Sequence, residues 1–274
     1  MSTKTKNIGF YIIIFIIVFL SLLPFLWFLN TSLKTQIEVT AIPPKLLPSG
    51  SLHFYESAIE QYGLLHYVKN SLIVASSSTL ITLFISVFTG YALARLRIKY
   101  KGVIMGSLLL VSMFPQISIA GPVWKILQSF GWLNTYQGLI FPYVTLTLPL
   151  GVWILTSFFK ELPEELERAA RIDGCSHFQA LFKVIIPLAV PGVFTAAILI
   201  FIYAWNEFFF ALLIMTQQKY QTLPVGIALF QGQYTMPWGE IAAASTVATV
   251  PLVLLVFLFQ RRIIRGLSAG AVKG

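Results

Sequence analysis

The chain has 274 residues, of which 57% are hydrophobic and 11% are charged, and its mean hydropathy is +0.81. Because so few charged side chains could not cover the surface of a soluble domain of this length, the composition excludes an ordinary soluble protein and predicts a membrane protein. The formal net charge of +9 does not require a nucleic acid as a partner, since basic loops that face anionic lipid account for it.

Six apolar segments are each long enough to cross a bilayer, whose hydrocarbon core requires roughly 20 residues of helix. None of them contains Lys or Arg. They are Ile8–Leu29, Ser71–Ala94, Val103–Gly121, Gln137–Phe159, Gly192–Met215 and Gly239–Phe259. We therefore predict an all-α membrane protein with six transmembrane helices in a single transmembrane domain, residues 1–274. The first segment is longer than the apolar part of a signal peptide, which predicts an uncleaved helix.

The distribution of basic residues predicts the orientation of these helices. With the N-terminus inside, fourteen of the 19 Lys and Arg residues fall in the two terminal segments and in the loops 95–102 and 160–191. The other five fall in the loops on the opposite side. Since cytoplasmic loops carry an excess of Lys and Arg, both termini and the long loop 160–191 are predicted to be cytoplasmic.

The third apolar segment contains residues that interrupt a helix. Pro115 lies within it, and Gly121-Pro122 closes it. Proline in a membrane helix frees backbone carbonyls that need other partners. The break either lines a cavity, as broken helices of transporters do, or is a kink that serves packing. Gln116, beside Pro115, is a candidate for a residue of a solute pathway.

The stretch ELPEELERAARIDGCSHFQALFKVIIPL, residues 161–188, concentrates charge between two apolar segments. Pro163 followed by acidic residues is typical of a helix start, and Gly174 is typical of a helix end. Ser176-x-x-Gln179 is a capping box that predicts a second helix. We therefore predict a helix, a glycine turn and a second helix on the cytoplasmic side. A helix lying on the membrane surface is the alternative, but such helices are usually rich in Lys and Arg.

Polar side chains in the fifth apolar segment recur at the spacing of one helical face. Tyr203, Asn206, Glu207 and Phe210 occupy positions i, i+3, i+4 and i+7. An acid, an amide and aromatic rings could bind the hydroxyls of a polar solute and stack on its ring, which makes these residues candidates for a solute pathway. The alternative is a structural hydrogen bond between helices.

The sequence ERAARIDG, followed after ten residues by VIIP, resembles the EAA loop of binding-protein-dependent ABC importer permeases. Ala169, Ala170 and Gly174 hold the register of that motif, while Arg168 stands at its acidic position. The segments Ala204–Phe208 and Gly266–Gly274 are similar to those of permeases for maltose and other carbohydrates, in the subfamily of the smaller maltose permease subunit. The resemblance covers essentially the whole chain.

This resemblance implies a multi-pass permease subunit of an ATP-driven sugar importer in the plasma or inner membrane. Such a subunit forms half of the translocation pathway, and its EAA loop is the coupling helix that contacts a cytoplasmic ATPase dimer. The residues assigned to this contact are Glu164, Glu165, Glu167, Ala169, Ala170, Asp173 and Gly174. The chain has no ATP-binding G-x-x-x-x-G-K-[ST] motif, so ATP and magnesium are expected on the ATPase and no cofactor on this chain.

The resemblance also implies further partners. They are a second permease subunit, expected to be a different chain, an extracytoplasmic sugar-binding protein, the sugar itself and membrane lipid, with no nucleic acid. The loop Thr216–Trp238, with five Gln residues that include Gln231 and Gln233, resembles the loop that reaches toward the binding protein. Nothing in its composition excludes a merely solvated loop.

Three other functions are weighed against this one. A secondary transporter driven by an ion gradient often carries several ionisable residues in mid-membrane, whereas only Glu207 is predicted to lie deep here. An intramembrane enzyme would need a nucleophile with a base or a metal, and the single Cys175 belongs to no metal-binding motif. An importer permease for glycerol-phosphate or another small solute stays open, although the predicted spans contain no arginine for a phosphate.

Overall fold

The computed structural model describes residues 3–230 and 236–271, with side chains for residues 10–230 and 236–260. These ranges contain helices and no strand, which confirms the predicted all-α fold. The helices are α1 (Thr3–Ser32), α2 (Gln36–Val39), α3 (His53–Glu60), α4 (Leu64–Arg95), α5 (Lys101–Ser112), α6 (Gln116–Ser129), α7 (Tyr136–Glu161), α8 (Glu164–Ile172), α9 (His177–Leu188), α10 (Val190–Asn206), α11 (Phe209–Ile214), α12 (Leu223–Ala228) and α13 (Trp238–Ala271). A short 3₁₀ turn covers Gln218–Tyr220.

Four of the described helices are long and apolar enough to cross a membrane on their own. They are α4, α7, the part of α1 from Phe10 to Ser32 and the part of α13 from Trp238 to Gln260. Two bent pairs, α5 with α6 and α9 with α10, raise the number to as many as six if each pair is one span. The predicted count of six therefore stays a prediction.

The predicted break in the third segment lies at Pro115. Helix α5 ends at Ser112, α6 begins at Gln116, and the two are bent by 92°. Proline has no N–H to continue the ladder, and it disfavours the helical conformation in the residue before it, here Phe114. Pro122, in contrast, lies inside α6, so the Gly121-Pro122 pair does not interrupt this helix.

The fifth predicted segment differs from a single continuous span. Helix α10 ends at Asn206, Glu207 has an extended backbone with φ −66° and ψ 127°, and α11 begins at Phe209. At its other end α10 meets α9 at Ala189 with a bend of 79°. The predicted segment is thus interrupted at Glu207, and the helix that it begins with is bent by 79° against α9.

Contacts between residues divide the chain into two compact units. The first comprises residues 1–65 and 226–251. In this unit α3 packs closely on the start of α13. Phe54 of α3 is buried there, and a Cβ on Gly239 of α13 would lie 2.3 Å from the Phe54 ring. Side chains of α1 from Phe10 to Leu29 are exposed around the whole helix, so that lipid or another apolar surface must surround them.

The second unit comprises residues 66–225 and 252–274. Its apolar core joins α4, α7, α9 and α10 through Tyr91, Ile154, Leu155, Phe159, Leu181, Ile185, Ala189, Ala196 and Ile200. A Cβ on Gly151 of α7 would lie 2.5 Å from the Ser86 hydroxyl of α4, so the glycine allows these two helices to approach closely. This core holds the charged loop, residues 161–188, against the C-terminal end of α4.

Candidate functional site

The charged loop contains the predicted helix, glycine turn and second helix. Pro163 precedes α8, and Gly174 has a φ of +87°, a left-handed conformation that glycine adopts without steric cost. The N–H of Cys175 donates to the carbonyl of Ala170 at 3.0 Å, and that of Gly174 donates to Arg171 at 3.1 Å. These two bonds form a Schellman motif that ends α8. The predicted cap and turn chemistry of this helix is confirmed.

The second helix of the loop starts at the predicted capping box. The Ser176 hydroxyl accepts from the N–H of Gln179 at 3.2 Å, and the Gln179 side chain accepts from the N–H of Ser176 at 2.9 Å. Residues Leu181–Ile185 of α9 form a turn of π-helix, which the sequence did not indicate. Such turns occur frequently at functional sites.

The seven residues assigned to ATPase contact divide into two groups by exposure. The exposed residues are Glu164, Glu165, Ala169, Asp173 and Gly174. The other two, Glu167 and Ala170, are buried. The exposed face also carries the apolar side chains of Leu166 and Ile172, and Ile172 is 86% exposed. A partner can therefore reach a mixed acidic and apolar face, but it cannot reach Glu167.

Glu167 is held by side chains of α4. Tyr91 Oη donates to Glu167 Oε1 at 2.5 Å, and Arg95 Nε lies 3.7 Å from Oε2. His177 Nδ1 lies 3.3 Å from Oε1. Arg95 also donates to the carbonyl of Leu162 at 2.5 Å. Sequence reasoning missed Tyr91 and interpreted Arg95 as an orientation anchor, because no local pattern indicates a contact between residues 76 positions apart.

Arg168, at the acidic position of the EAA motif, points away from this buried group. Its side chain is exposed and donates to Glu164 at 2.9 Å, one helical turn earlier. The pair is accessible to solvent on both sides, so it contributes little to stability. Its charges remain available to a partner.

The second candidate region surrounds Glu207, at the break between α10 and α11. The Glu207 carboxylate accepts from the N–H groups of Phe210 at 2.9 Å and Ala211 at 3.2 Å. It also accepts from Tyr143 Oη of α7 at 2.6 Å. A carboxylate at this position satisfies two of the backbone donors that every helix leaves without a partner at its start.

The four residues predicted on one helical face are thus separated by the break. Tyr203 and Asn206 lie on α10, whereas Phe210 lies on α11 and is fully buried. The difference arises because Glu207 leaves the helical conformation and caps the next helix. Spacing along the sequence could not reveal this, since a capping carboxylate and a helical one occur in the same sequence pattern.

Two recesses share Gln116 and Tyr203, and Glu207 lines one of them. An open one of about 450 Å³ is lined by Gln116, Ile202, Tyr203, Asn206, Glu207, Phe208 and Phe209. A second, of about 290 Å³, is lined by Leu109, Ser112, Phe114, Gln116, Leu146, Thr147, Leu150, Trp153 and Tyr203. Gln116 and Tyr203 line both, and Gln116 Nε2 donates to Tyr203 Oη at 2.8 Å. Polar and aromatic groups therefore surround both recesses, and no Lys or Arg lines either of them.

The loop predicted to reach a binding protein is partly anchored to α4. Asn70 donates to the carbonyls of Lys219 at 3.0 Å and Gln221 at 2.8 Å, and the Gln218 amide donates to Tyr67 at 3.0 Å. The two glutamines at 231 and 233 lie outside the described residues. Among the residues that the structure describes, no group of three or more His, Cys, Asp or Glu side chains could hold a metal ion.

Residues 63–269 match the family described as "Binding-protein-dependent transport system inner membrane component". Three curated relatives align along most of the chain. The trehalose/maltose transport system permease protein MalG of Thermococcus litoralis is 46% identical, over 92% of this chain and 92% of that protein. The sulfoquinovosyl glycerol transport system permease protein SmoH of Agrobacterium fabrum is 44% identical, over 92% and 89%. The trehalose transport system permease protein SugB of Mycobacterium tuberculosis is 42% identical, over 93% of each chain.

Among solved structures, a chain of a bacterial ABC transporter that imports the acidic polysaccharide alginate superposes with a TM-score of 0.80. The match is 19% identical in sequence and covers 95% of this chain and 98% of that one. A chain of the bacterial alginate transporter in complex with a periplasmic protein that carries an alginate pentasaccharide superposes with a TM-score of 0.60 at 14% identity. At these identities the likeness shows a shared fold.

Proposed function

The chain belongs to the family of binding-protein-dependent transport system inner membrane components, and from this premise we propose that it is the permease subunit of an ATP-driven sugar importer. The observation that carries the proposal is its similarity to permeases of three carbohydrate transport systems, at 42% to 46% identity along nearly the whole chain. As a member of this family it is a multi-pass membrane protein and a transport subunit rather than an enzyme.

Two features of the open recess support a neutral sugar as the solute. Its lining combines the amides of Gln116 and Asn206 with the hydroxyl and ring of Tyr203, groups that can hydrogen-bond to hydroxyls and stack on a sugar ring. It contains no cation for a phosphate. We assign sugar contact to Gln116, Tyr203 and Asn206. To Glu207 we assign the shape of this wall, since its carboxylate accepts three hydrogen bonds from the protein itself.

The exposed face of α8 is the proposed contact with a cytoplasmic ATPase dimer. It presents Glu164, Glu165 and Asp173 beside Ala169, whose small side chain allows another surface to come close. The Schellman turn at Gly174 and the capping box that follows hold α8 at a defined angle to α9. Such a helix can transmit a displacement, and ATP and magnesium would bind to the ATPase.

The remaining parts of the proposal follow the family. We propose six spans in one transmembrane domain, with each bent pair counted as one span and with both termini in the cytoplasm. A second, different permease chain would complete the pathway. An extracytoplasmic sugar-binding protein would deliver the solute to the side that carries the loop Thr216–Trp238.

Co-purification tests the proposal. The tagged chain is solubilised gently, the proteins that elute with it are identified by mass spectrometry, and ATP hydrolysis is assayed on the eluate. We expect an ATPase chain with a Walker motif together with a second multi-helix permease. Elution of the intact chain alone under every mild detergent would contradict the proposal and would favour a gradient-driven transporter.

A further inference from the structure

The group formed by Tyr91, Arg95, Glu167 and His177, called here the Glu167 cluster, attaches the charged loop to α4. We propose that the Glu167 cluster transmits the displacement of α8 to α4, so that these two helices move together when a partner pushes on α8. This inference rests on the proposed function, since it needs an ATPase that moves α8. Glu167 is then a positioning residue, and it is distinct from the exposed acids that contact the partner.

The geometry places the attachment at three points of the loop. Tyr91 and Arg95 are one helical turn apart and therefore lie on one face of α4. Arg95 donates to the carbonyl of Leu162, just before α8, at 2.5 Å. Tyr91 donates to Glu167 within α8 at 2.5 Å, and its hydroxyl lies 3.4 Å from Nδ1 of His177, beyond the glycine turn. A single turn of α4 thus contacts the loop before, within and after α8.

Burial separates the side chains of Tyr91, Arg95 and Glu167 from the surface that a partner can touch, whereas the side chain of His177 is 48% exposed. The side chains of Glu167 and Arg95 are 10% and 5% exposed, whereas that of Glu164 is 61% exposed. Arg95 Nη1 also lies 4.0 Å from Glu164 Oε1, so Arg95 connects the buried acid to the exposed one. Opposite charges interact more strongly when they are shielded from water, so the buried pair constrains the two elements more than a surface pair does. The sequence motif alone assigns all of these acids to the same contact.

The alternative route for a displacement runs along the chain from α9 into α10. That route passes through the π-helical turn Leu181–Ile185 and the 79° bend at Ala189. Both are places where a helix departs from its regular hydrogen-bond ladder and can change its angle. The route through the Glu167 cluster contains neither. In addition, the ring of Tyr91 lies in the same apolar core as Leu181 and Ile185, so α4 is packed against α9 as well.

The test is amide hydrogen exchange of the intact complex in lipid nanodiscs, measured without nucleotide and with ATP, magnesium and vanadate. In the wild type we expect the nucleotide to change exchange both in α8 and in the last turns of α4. In Tyr91→Phe, which retains the ring and removes the hydroxyl, we expect an unchanged response in α8. The response in α4 should fall about fivefold, as expected for the loss of one hydrogen bond.

A second variant and a control complete the design. Glu167→Gln retains an acceptor for Tyr91 but removes the attraction to Arg95, and it should weaken the response of α4 in the same direction. Tyr100→Phe, which changes an exposed tyrosine outside the cluster, should respond as the wild type does. A purely structural role for the cluster would lower the yield of complex and leave the ratio of the two responses unchanged.

The outcomes separate this inference from the function on which it rests. If the wild-type chain brings no ATPase with it, both are overturned. If the ATPase is present but α4 does not respond to nucleotide, or responds equally in Tyr91→Phe, this inference is overturned and the proposed function stands. A loss of the α4 response with a retained α8 response supports it.

Discussion

Two buried carboxylates, Glu167 in α8 and Glu207 after α10, each accept a hydrogen bond from a tyrosine of another helix, but they are stabilised differently. Glu167 accepts from Tyr91 and lies beside the guanidinium of Arg95 and the imidazole of His177. Glu207 accepts from Tyr143 and from two backbone N–H groups. The first is a charge pair that joins two elements, and the second is a helix cap within the apolar part of the chain. The same residue type therefore indicates a different function in each region.

The comparison predicts that removing the Glu207 carboxylate has the largest effect. Glu207→Ala leaves the N–H groups of Phe210 and Ala211 without their acceptor, and the Tyr143 hydroxyl keeps only the backbone carbonyl of residue 207, at 3.3 Å. Each donor left unpaired in a buried place costs about 1–3 kcal/mol, so we expect a loss of about 3 kcal/mol or more and little intact complex. The measurement is the yield and thermal stability of the complex. Asn206→Ala, at the neighbouring residue of the same recess, serves as control and should leave assembly intact.

Glu207→Gln provides an intermediate case for the same measurement. It keeps one carbonyl acceptor and should lose less stability than Glu207→Ala. If Glu207→Ala assembles normally and loses only transport, Glu207 is a residue of the solute pathway, and its capping bonds are not needed for assembly.

Removing the other carboxylate should have a smaller effect. Glu167→Ala breaks a buried ion pair, a change that costs about 3–5 kcal/mol when the remaining charge has no other partner. Arg95 retains the Leu162 carbonyl and the carboxylate of Glu164 at 4.0 Å, so we expect about 2 kcal/mol here. Glu165→Ala, on the exposed face of the same helix, is the matched variant. It should retain full stability and weaken recovery of the ATPase chain, and equal losses in the two variants would contradict the division by exposure.

A substitution in the glycine turn that links α8 and α9 should have a still smaller effect. Gly174→Leu forces a side chain into a left-handed conformation at a cost of about 1–2 kcal/mol, while no atom lies within 4 Å of the new Cβ. We expect less ATPase chain per permease in co-purification because the angle between α8 and α9 changes. Gly174→Asn, which tolerates this conformation better, should be milder. A Gly174→Leu complex that assembles and transports as the wild type does would exclude this turn from coupling.

A third buried carboxylate, Glu38, belongs to the capping box at the start of the short helix α2. Glu38 accepts from the N–H of Thr35 at 3.0 Å and from the hydroxyl of Ser49 at 2.9 Å. The backbone N–H of Thr35, the Ser49 hydroxyl and the charge of Lys45 lower the pKa of Glu38 from 4.5 to about 2. A carboxyl group whose pKa is lower in the folded protein than in the unfolded chain stabilises the fold at pH values above the unfolded pKa. That stabilisation is lost as the pH falls toward the folded pKa.

We therefore expect residues 35–49 to become more open only as the pH falls from about 4.5 toward 2. Local amide exchange of this segment measures the change. In Glu38→Gln, where residue 38 cannot titrate, the protection of residues 35–49 against exchange should not depend on pH. An equal pH dependence in that variant would assign the effect to another group.

Much of the helical architecture and of the charged loop could be predicted from the sequence. Apolar runs indicated the long helices, Pro115 indicated the break in the third segment, and Gly174 and the Ser176 capping box indicated the turn. These features depend on residues near one another in the chain. The continuity of the fifth segment could not be predicted, because the pattern around Glu207 is the same whether its side chain lies on a helix or caps the next one.

The sequence by itself determined the class of protein, its family and the local chemistry of the loop, since hydropathy, proline and glycine act over a few residues. Only the tertiary structure decided which acid is buried and what it touches. Tyr91 and Glu167, or Tyr143 and Glu207, are far apart in the chain and meet because helices pack. The physical reason is that burial and hydrogen bonding depend on distances in space, and separation along the chain does not determine those distances.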